Sequence, residues 1–464
     1  MNSHPNPSLL RALRDIFSSN QILTDKADCW TYGYDNSRKH HLPDYVAFPQ
    51  KHEQVVACVQ ACYQHETPIT ARGRGSGTTG ATVPTRGGLV MSMEQMNNEP
   101  VIDTANRYMI AQPGVTNLAV QEAAKKHGFF WPPDPTSAAF CSIGGNLAYN
   151  SAGPRAVKYG TPRENVFGLV AVSGKGETLK TGVVTSKGVV GYDLTRLLIG
   201  SEGTLAIITE ATLRLTPIPE SKRTIRAIYN SMVAAAQAVS YIMAQPVTPC
   251  ALEFIDGNAI NAVRKYASTD IPENAEAMLM IEIDGLESSM SSAVQAVSDA
   301  ASLPGLLELK VATSQQEVSE LWKIRKALSP ALRNIAPQKI NEDVVVPVSR
   351  MAELIEGLKH LSQHHRIPIV NFGHAGNGNI HVNLLVNQSD NHEMERAEQC
   401  LSDVFSLVLE LEGTLSGEHG IGLEKKNFIN LEIPETTLNV MKNIKQVFDP
   451  KGILNPGKMF PDQS

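Results

Sequence analysis

Four residues in the C-terminal half, His374, His381, Glu418 and His419, have the types and spacing of a metal-assisted catalytic site. His374 and His381 flank the glycine-rich turn of GHAGNGNIHVN, and Glu418 and His419 stand between glycines in SGEHG. Two imidazoles and one carboxylate form an open three-ligand set for a divalent metal, which leaves coordination positions for a substrate. The adjacent His419 would then be free to transfer a proton. The alternative interpretation is that these are separate surface histidines near turns.

Alternating strands and helices must position these residues. His381 opens an alternating run that ends at Val386 and is typical of a strand. The proline-rich stretch that begins at Pro217 predicts a domain boundary. Beyond it, strand and helix patterns alternate around the apolar run 277–283, and we expect one antiparallel sheet with helices on one face.

Length, charge and cysteine usage exclude several classes of protein. The chain has 464 residues, enough for about two or three domains, and its net charge of −6 without a basic cluster argues against nucleic acid as a partner. It lacks a run of about eighteen apolar residues and a secretory signal pattern, so we expect no transmembrane helix. The six cysteines include no CxxC pair, which is typical of free thiols in a reducing compartment. Cys58 and Cys62 should share a helix face with Val55 and Val59.

A glycine-dense segment follows a strand-like run in the N-terminal half. Residues 71–81 read ARGRGSGTTGA and contain the dinucleotide-binding pattern GxGxxG. A dinucleotide-binding loop is nevertheless excluded, because such a loop must be followed directly by a helix. Here residues 83–88, VPTRGG, lead into another strand instead. A P-loop fails too, since no Gly-Lys-Ser/Thr closes the run. The loop could still hold phosphate through its backbone N–H groups, with charge from Arg72 and Arg74, although an ordinary tight turn is the alternative.

Several motifs resemble those of a known flavoprotein family. RGRGSG from Arg72, SIGGN from Ser142, GYDLT from Gly191 and IGSEGTL from Ile199 look like the FAD-binding domain of the PCMH-type (vanillyl-alcohol-oxidase) flavoproteins. The second half resembles the C-terminal region of FAD-linked oxidases. Together they indicate the FAD-dependent D-2-hydroxyacid dehydrogenases, which include D-lactate dehydrogenase, D-2-hydroxyglutarate dehydrogenase and the flavin subunit of glycolate oxidase.

The resemblance implies an α+β fold in three parts. We expect a PCMH-type FAD-binding domain of two α/β subdomains with an N-terminal arm over residues 1–217. A substrate (cap) domain, with an antiparallel sheet covered by helices, should span 218–415, and residues 416–464 should return to the FAD domain. The glycine loop lacks the histidine that attaches FAD in covalent members, so FAD should be non-covalent. The residues assigned to FAD are Arg72, Gly73, Arg74, Gly75, Ser76, Gly77, Thr78, Pro113, Gly114, Pro135, Thr136, Ser142, Gly144, Gly145, Asn146, Ser151, Gly153, Gly203, Ile207 and Asn455.

The resemblance also assigns roles to the residues of the first motif. It makes His374, His381 and Glu418 the metal ligands, the same three that their residue types suggest, and it makes His419 the general base. We expect the metal to be zinc. Manganese and iron stay open as alternatives, because they also accept two imidazoles and a carboxylate.

Substrate binding is expected from Arg325, Lys339 and Asn383. The Arg325 guanidinium matches a carboxylate, although a solvated helix face is the alternative. Asn383 lies two residues past His381 and should share its strand face. The run KINEDVVVP from Lys339 resembles D-lactate enzymes, so the expected reaction is D-lactate to pyruvate. D-2-hydroxyglutarate and glycolate are the alternative substrates.

Electrons should leave the flavin to a quinone, a cytochrome or an electron-transfer flavoprotein. We expect a cytoplasmic protein, and peripheral contact with the inner membrane is compatible with that. Two other classes stay open. One is an alcohol or phenol oxidase of the same flavin superfamily, which would not use the metal triad. The other is a non-enzymatic flavoprotein subunit with a structural metal, which would need a fourth protein ligand.

Overall fold

The apolar runs of the sequence form strands and the amphipathic runs form helices in the computed structural model, which describes residues 6–266, 270–332 and 335–461. The strands in these ranges are, in chain order, β1 (Ile22–Leu23), β2 (Tyr45–Ala47), β3 (Ile69–Arg72), β4 (Leu89–Ser92), β5 (Val101–Asp103), β6 (Tyr108–Ala111), β7 (Phe129–Phe130), β8 (Val166–Ser173), β9 (Thr178–Gly182), β10 (Ala206–Arg214), β11 (Thr216–Pro217), β12 (Ser221–Tyr229), β13 (Ala251–Asp256), β14 (Ala277–Gly285), β15 (Leu306–Val311), β16 (Gln338–Val345), β17 (Ile369–Gly373) and β18 (Asn379–Val386). The helices in the same ranges are α1 (Pro7–Ile16), α2 (Lys26–Trp30), α3 (His52–Gln64), α4 (Asn117–Lys125), α5 (Ile143–Tyr149), α6 (Ala156–Tyr159), α7 (Leu194–Leu198), α8 (Met232–Ala244), α9 (Gly257–Tyr266), α10 (Glu287–Ala301), α11 (Gln315–Ala331), α12 (Met351–His365), α13 (Asn391–Glu410), α14 (Ile429–Glu432) and α15 (Glu435–Phe448).

The chain divides into two units, each with its own core. The first unit comprises residues up to 152, 160–218 and 418 onward, and the second comprises 153–159 and 219–417. The mixture of helices and largely antiparallel sheets confirms the α+β class. No helix among the described residues is long and apolar enough to cross a membrane.

A mixed sheet in the first unit carries the glycine loop. Its strand order is β1-β2-β4-β3, with β2 and β3 both parallel to β4, and helix α3 connects β2 to β3. Val55, Cys58, Val59 and Cys62 recur at the spacing of one helix face and are all 0% exposed, as predicted. All six cysteines are buried free thiols.

A second, antiparallel sheet in the first unit carries two further motif loops. Its strand order is β5-β6-β10-β8-β9. Strand β6 ends at Ala111, two residues before Pro113, and β10 begins three residues after Gly203. Because strand ends are rigid where the core holds them, they fix where these loops begin. The core beneath includes Trp131 and Leu169.

The second unit is built on a seven-stranded antiparallel sheet of order β15-β12-β14-β13-β17-β18-β16. Ile228 packs in a core cluster with residues of α9 and α11. The next residue, Tyr229, donates its hydroxyl to Ala301 O in α10 at 2.6 Å. Successive strand residues point to opposite faces, so helices cover both faces. Our expectation of helices on one face was wrong, because a continuous apolar run such as 277–283 is itself typical of a strand buried on both sides.

The short segment 153–159 groups with the second unit, although we expected it in the FAD-binding domain. Its two terminal residues bind the sheet: Lys158 Nζ lies 2.5 Å from Asp284 Oδ1, and Tyr159 Oη donates to Asp284 Oδ2 at 2.8 Å. A charged contact between distant positions in the chain is not readable from sequence, which explains the different assignment.

Candidate functional site

The backbone of the glycine loop in the first unit passes close to the side chains of Arg72 and Tyr149. Arg72, the last residue of β3, is buried, and its Nη1 donates to Tyr34 O at 2.6 Å. Gly75 has φ of 66°, and a Cβ there would collide with the Arg72 guanidinium. A Cβ on Gly77 would come within 2.6 Å of Tyr149 Oη. Glycine at these positions therefore lets the backbone pass close to buried side chains.

A cavity in the first unit, about 610 Å³ with the space open to solvent included, is lined by this loop and by helix α5. The helix starts at the cavity wall, where Ser142 Oγ accepts the Gly145 N–H at 3.3 Å. A Cβ on Gly144 would lie 2.7 Å from Pro113 Cβ, so two loops approach each other closely there. The predicted FAD residues that line the cavity are Arg72, Gly73, Pro113, Ser142, Gly144, Gly145, Gly203 and Ile207.

Other residues assigned to FAD do not line this cavity, and two of them, Asn146 and Asn455, donate hydrogen bonds within the protein. Asn146 Nδ2 donates to Ser151 Oγ at 3.0 Å. Asn455 Nδ2 donates to Ala81 O at 2.9 Å and to Glu202 O at 2.8 Å. A direct FAD contact stays a prediction for Asn146, Ser151 and Asn455, and also for Arg74, Gly75, Ser76, Gly77, Thr78, Gly114, Pro135, Thr136 and Gly153, the last of which belongs to the second unit.

Sequence reasoning missed Tyr149 and Glu202, which also line the cavity. Glu202 lies inside the IGSEGTL motif, so its place in the motif was the available signal. Its carboxylate accepts the backbone N–H of Ile421 at 2.6 Å and of Gly422 at 2.8 Å. Burial raises the pKa of Glu202 to about 7, although these two N–H groups pull in the opposite direction.

In the second unit, one candidate metal-binding histidine follows the end of a strand and the other lies within the neighbouring strand. His374 directly follows β17 and His381 lies in β18, and their ring centroids are 5.3 Å apart at a nearly perpendicular angle. Both side chains are buried. The Nδ1 of His374 lies 2.5 Å from Glu253 Oε1 on β13, which leaves Nε2 as the nitrogen that can bind a metal.

Glu253 joins a candidate metal ligand to a candidate substrate ligand. Its Oε2 accepts a hydrogen bond from Arg325 Nε on α11 at 2.5 Å, while Oε1 contacts His374. The carboxylate is 1% exposed. Burial alone would raise its pKa, but the neighbouring His374 and Arg325 outweigh burial and lower the pKa of Glu253 to about 2. Sequence reasoning missed Glu253, because nothing in the all-buried strand β13 marks it as functional.

The side chain of Asn383 makes four hydrogen bonds within the protein. Its Oδ1 accepts from Asn341 Nδ2 at 2.8 Å and from Lys339 Nζ at 3.2 Å, and its Nδ2 donates to Val370 O and His381 O, both at 3.1 Å. Four hydrogen bonds use the whole capacity of an amide side chain. Asn383 therefore holds Lys339, and its predicted contact with substrate stays a prediction.

The segment that leads to Glu418 is anchored to the same sheet. Asp343 faces His381 in the β16–β18 register, and its carboxylate and carbonyl oxygens each accept the Gly417 N–H at 2.9 Å. Gly417 is the last residue of the second unit. Glu418 follows it through one peptide bond, about 3.8 Å from Cα to Cα. Within the first unit, Glu418 Oε2 accepts the Ala152 N–H at 3.3 Å.

Comparisons with known proteins identify the family. Residues 43–182 match the family described as "FAD binding domain", and residues 218–459 match "FAD linked oxidases, C-terminal domain". The chain belongs to the FAD-linked oxidases. It is 38% identical over 430 residues to "Glycolate oxidase subunit GlcD" of Bacillus subtilis (strain 168), covering 92% of each chain. It is 32% identical over 458 residues to "D-lactate dehydrogenase [cytochrome], mitochondrial" of Arabidopsis thaliana, covering 98% of this chain and 80% of the relative.

Solved structures agree on the fold of this FAD-linked oxidase. p-Cresol methylhydroxylase with substrate bound aligns with a TM-score of 0.78 at 15% identity, over 97% of this chain and 96% of that chain. A 4-ethylphenol oxidase from Gulosibacter chungangensis aligns equally well, with a TM-score of 0.78 at 17% identity, over 98% and 97% of the two chains. At such identities the likeness shows the fold alone. The resemblance to the PCMH-type flavoproteins is confirmed.

Proposed function

We propose that this FAD-linked oxidase converts a small D-2-hydroxy acid into the corresponding 2-oxo acid, with D-lactate as its first substrate. The observation that carries the proposal is the buried chain His374–Glu253–Arg325, in which one carboxylate orients both an imidazole and a guanidinium. A 2-hydroxy acid needs both groups, because its hydroxyl must be activated while its carboxylate is held. Relatives named for glycolate and D-lactate support the same substrate class.

FAD fits the cavity of the first unit. Eight of the residues that we expect to contact FAD line it. The glycines that line it keep side chains out of the space. Bound there, FAD would supply the acceptor for the hydride that leaves C2 of the substrate.

The donor set fits a divalent metal, with zinc first and manganese or iron as alternatives. His374 would bind through Nε2 because Glu253 occupies its Nδ1 side. His381 and Glu418 would complete the set. Such an ion would draw the hydroxyl and carboxylate oxygens of the substrate together and lower the hydroxyl pKa.

The remaining steps belong to the side chains of this protein. His419 removes the proton of the substrate hydroxyl with a ring nitrogen. Arg325 binds the substrate carboxylate through its Nη groups, since Glu253 engages its Nε. Lys339, which Asn383 holds at 3.2 Å, adds a second cation to the same end of the substrate.

Glycolate is the second candidate substrate, because a glycolate oxidase subunit is 38% identical to this chain. D-2-hydroxyglutarate ranks third, since its second carboxylate would need a further cation. We place the reaction in the cytoplasm, in keeping with six buried free thiols. Electrons then pass to a quinone, a cytochrome or an electron-transfer flavoprotein, and a quinone acceptor would require peripheral contact with the membrane.

The test is anaerobic bleaching of the flavin absorbance of the purified holoenzyme. D-lactate, glycolate, D-2-hydroxyglutarate and L-lactate are compared at equal concentration. Fast bleaching by D-lactate with none by L-lactate is the expected result. Bleaching fastest with glycolate would move the substrate to the second candidate. A yellow protein that no 2-hydroxy acid bleaches would refute the proposal and leave the flavin in place.

A further inference from the structure

Glu202 is a buried acid that the proposed chemistry does not use. It is 5% exposed and has φ of 52°, a backbone conformation that non-glycine residues rarely adopt. Its backbone is held on both sides, because its N–H donates to Ala148 O at 2.9 Å and its carbonyl accepts from Asn455 Nδ2 at 2.8 Å. The turn therefore aims the side chain in one fixed direction.

That direction is the backbone of residues 421 and 422. One carboxylate oxygen accepts the Ile421 N–H at 2.6 Å, and the other accepts the Gly422 N–H at 2.8 Å. Gly420 has φ of 80°, and a Cβ on it would lie 2.6 Å from Glu202 Oε1. The lack of a side chain at Gly420 thus permits the close approach of this carboxylate.

The glycine loop holds the same segment at two further points. Thr79 Oγ1 donates to His419 O at 3.2 Å, and Leu423 N donates to Thr79 O at 2.7 Å. Residues 418–423 are therefore hydrogen-bonded to the glycine loop on one side and to Glu202 on the other, and all of these residues belong to the first unit. Glu202 is the acidic member of this arrangement, and the buried Lys425 and Lys458 lower its pKa only enough to offset part of the effect of burial.

We propose that Glu202 is a positioning residue, which fixes residues 418–422 so that Glu418 can bind the metal and His419 can reach the substrate hydroxyl. This inference rests on the proposed function for the roles of Glu418 and His419. Glu202 also lines the cavity proposed for FAD, so one residue contributes to the wall of the cofactor site and supports the reactive segment.

The test is Glu202→Gln in the FAD-loaded protein, with Zn²⁺ affinity measured by competition against a chromogenic chelator. Glutamine keeps one acceptor oxygen but turns an amide NH2 towards a backbone N–H, so the segment should loosen. We expect Zn²⁺ affinity to fall about 10- to 100-fold, as for other groups that orient metal ligands. The maximal rate of flavin bleaching should fall together with the Zn²⁺ affinity, and this fall should be larger than the change in KM. Glu210→Gln, a half-buried glutamate on strand β10, is the matched control and should change neither quantity.

Gly420→Ala provides a second variant if Glu202→Gln does not fold, because its methyl group would press on Glu202 Oε1 as well as on the Tyr149 ring. It should reproduce the loss of Zn²⁺ affinity. Unchanged Zn²⁺ affinity and bleaching in a folded variant would overturn the inference, and so would a loss of FAD alone. If no 2-hydroxy acid bleaches the wild-type protein, the proposed function fails, whereas the Zn²⁺ titration still decides the role of Glu202.

Discussion

Glu202 in the first unit and Glu253 in the second are both almost completely buried. The pKa values of their carboxyl groups nevertheless depart from the usual value in opposite directions. Burial raises the pKa of Glu202 to about 7. The pKa of Glu253 is about 2, because His374 and Arg325 outweigh the same effect of burial. Glu202 meets mainly backbone N–H groups, whereas Glu253 meets side chains that carry positive charge. Backbone N–H dipoles only reduce the rise in pKa that burial causes, whereas adjacent positive charges turn that rise into a fall.

The two glutamates therefore position their parts of the candidate site in different ways. Glu253 is a permanent anion that joins a cation to an imidazole, so its charge matters most. Glu202 holds neutral backbone, so its shape and two acceptor oxygens matter most. Neither glutamate is expected to touch the reacting atoms, in contrast to His419.

The largest effect is expected from His419→Asn, which separates the proposed base from the two supporting glutamates. Asparagine cannot accept the substrate proton, so the rate of anaerobic flavin bleaching should fall about 100- to 10,000-fold. The flavin spectrum, Zn²⁺ affinity and stability should stay at wild-type values. Rapid-mixing spectroscopy measures the rate, and near-wild-type bleaching would remove His419 as the base.

Glu253→Gln should have the next largest effect and should act on stability as well as on the metal. Removing the anion leaves Arg325 largely buried without its partner, which costs about 3–5 kcal/mol in comparable buried pairs. Urea denaturation monitored by circular dichroism measures the loss. Glu317→Gln is the matched control, since Glu317 lies on the same helix as Arg325 but pairs with exposed Lys310. Equal losses in the two variants would contradict the special role of Glu253.

The smallest effect is a pair of opposite pH slopes in the free energy of unfolding. The pKa of Glu253 is lowered from 4.5 to about 2, so its stabilisation is complete above pH 4.5 and is lost as the pH falls through 2. The pKa of Glu202 is raised from 4.5 to about 7, so its contribution is present below pH 4.5 and is lost as the pH rises through 7.

Each slope should amount to about 1–3 kcal/mol over its window. Urea titrations at a series of pH values measure it. Glu253→Gln should flatten the curve only between pH 2 and 4.5, and Glu202→Gln only between pH 4.5 and 7. If one substitution flattened both windows, the two glutamates would not act independently.

Local patterns predicted the elements around the candidate site but not the contacts between them. The strand predicted from His381 to Val386, which in the structure begins at Asn379, followed from a spacing of two residues. The shared helix face of Cys58 and Cys62 followed from a spacing of four residues. The contact of Glu253 with Arg325 joins positions 72 residues apart. No local period reports such a pairing, because the sheet order and the packing of α11 decide it.

The sequence by itself determined the cofactor class, the family and the residue types available for chemistry, because glycine loops, histidines and their spacings are local properties. Only the tertiary structure decided that Asn383 is saturated by Lys339, Asn341 and two carbonyls, and that Glu202 and Glu253 have opposite charge environments. The physical reason is that the pKa and the free hydrogen-bonding capacity of a buried polar group depend on its neighbours in space. Those neighbours are brought together by strand order and helix packing, across distances along the chain that a motif does not span.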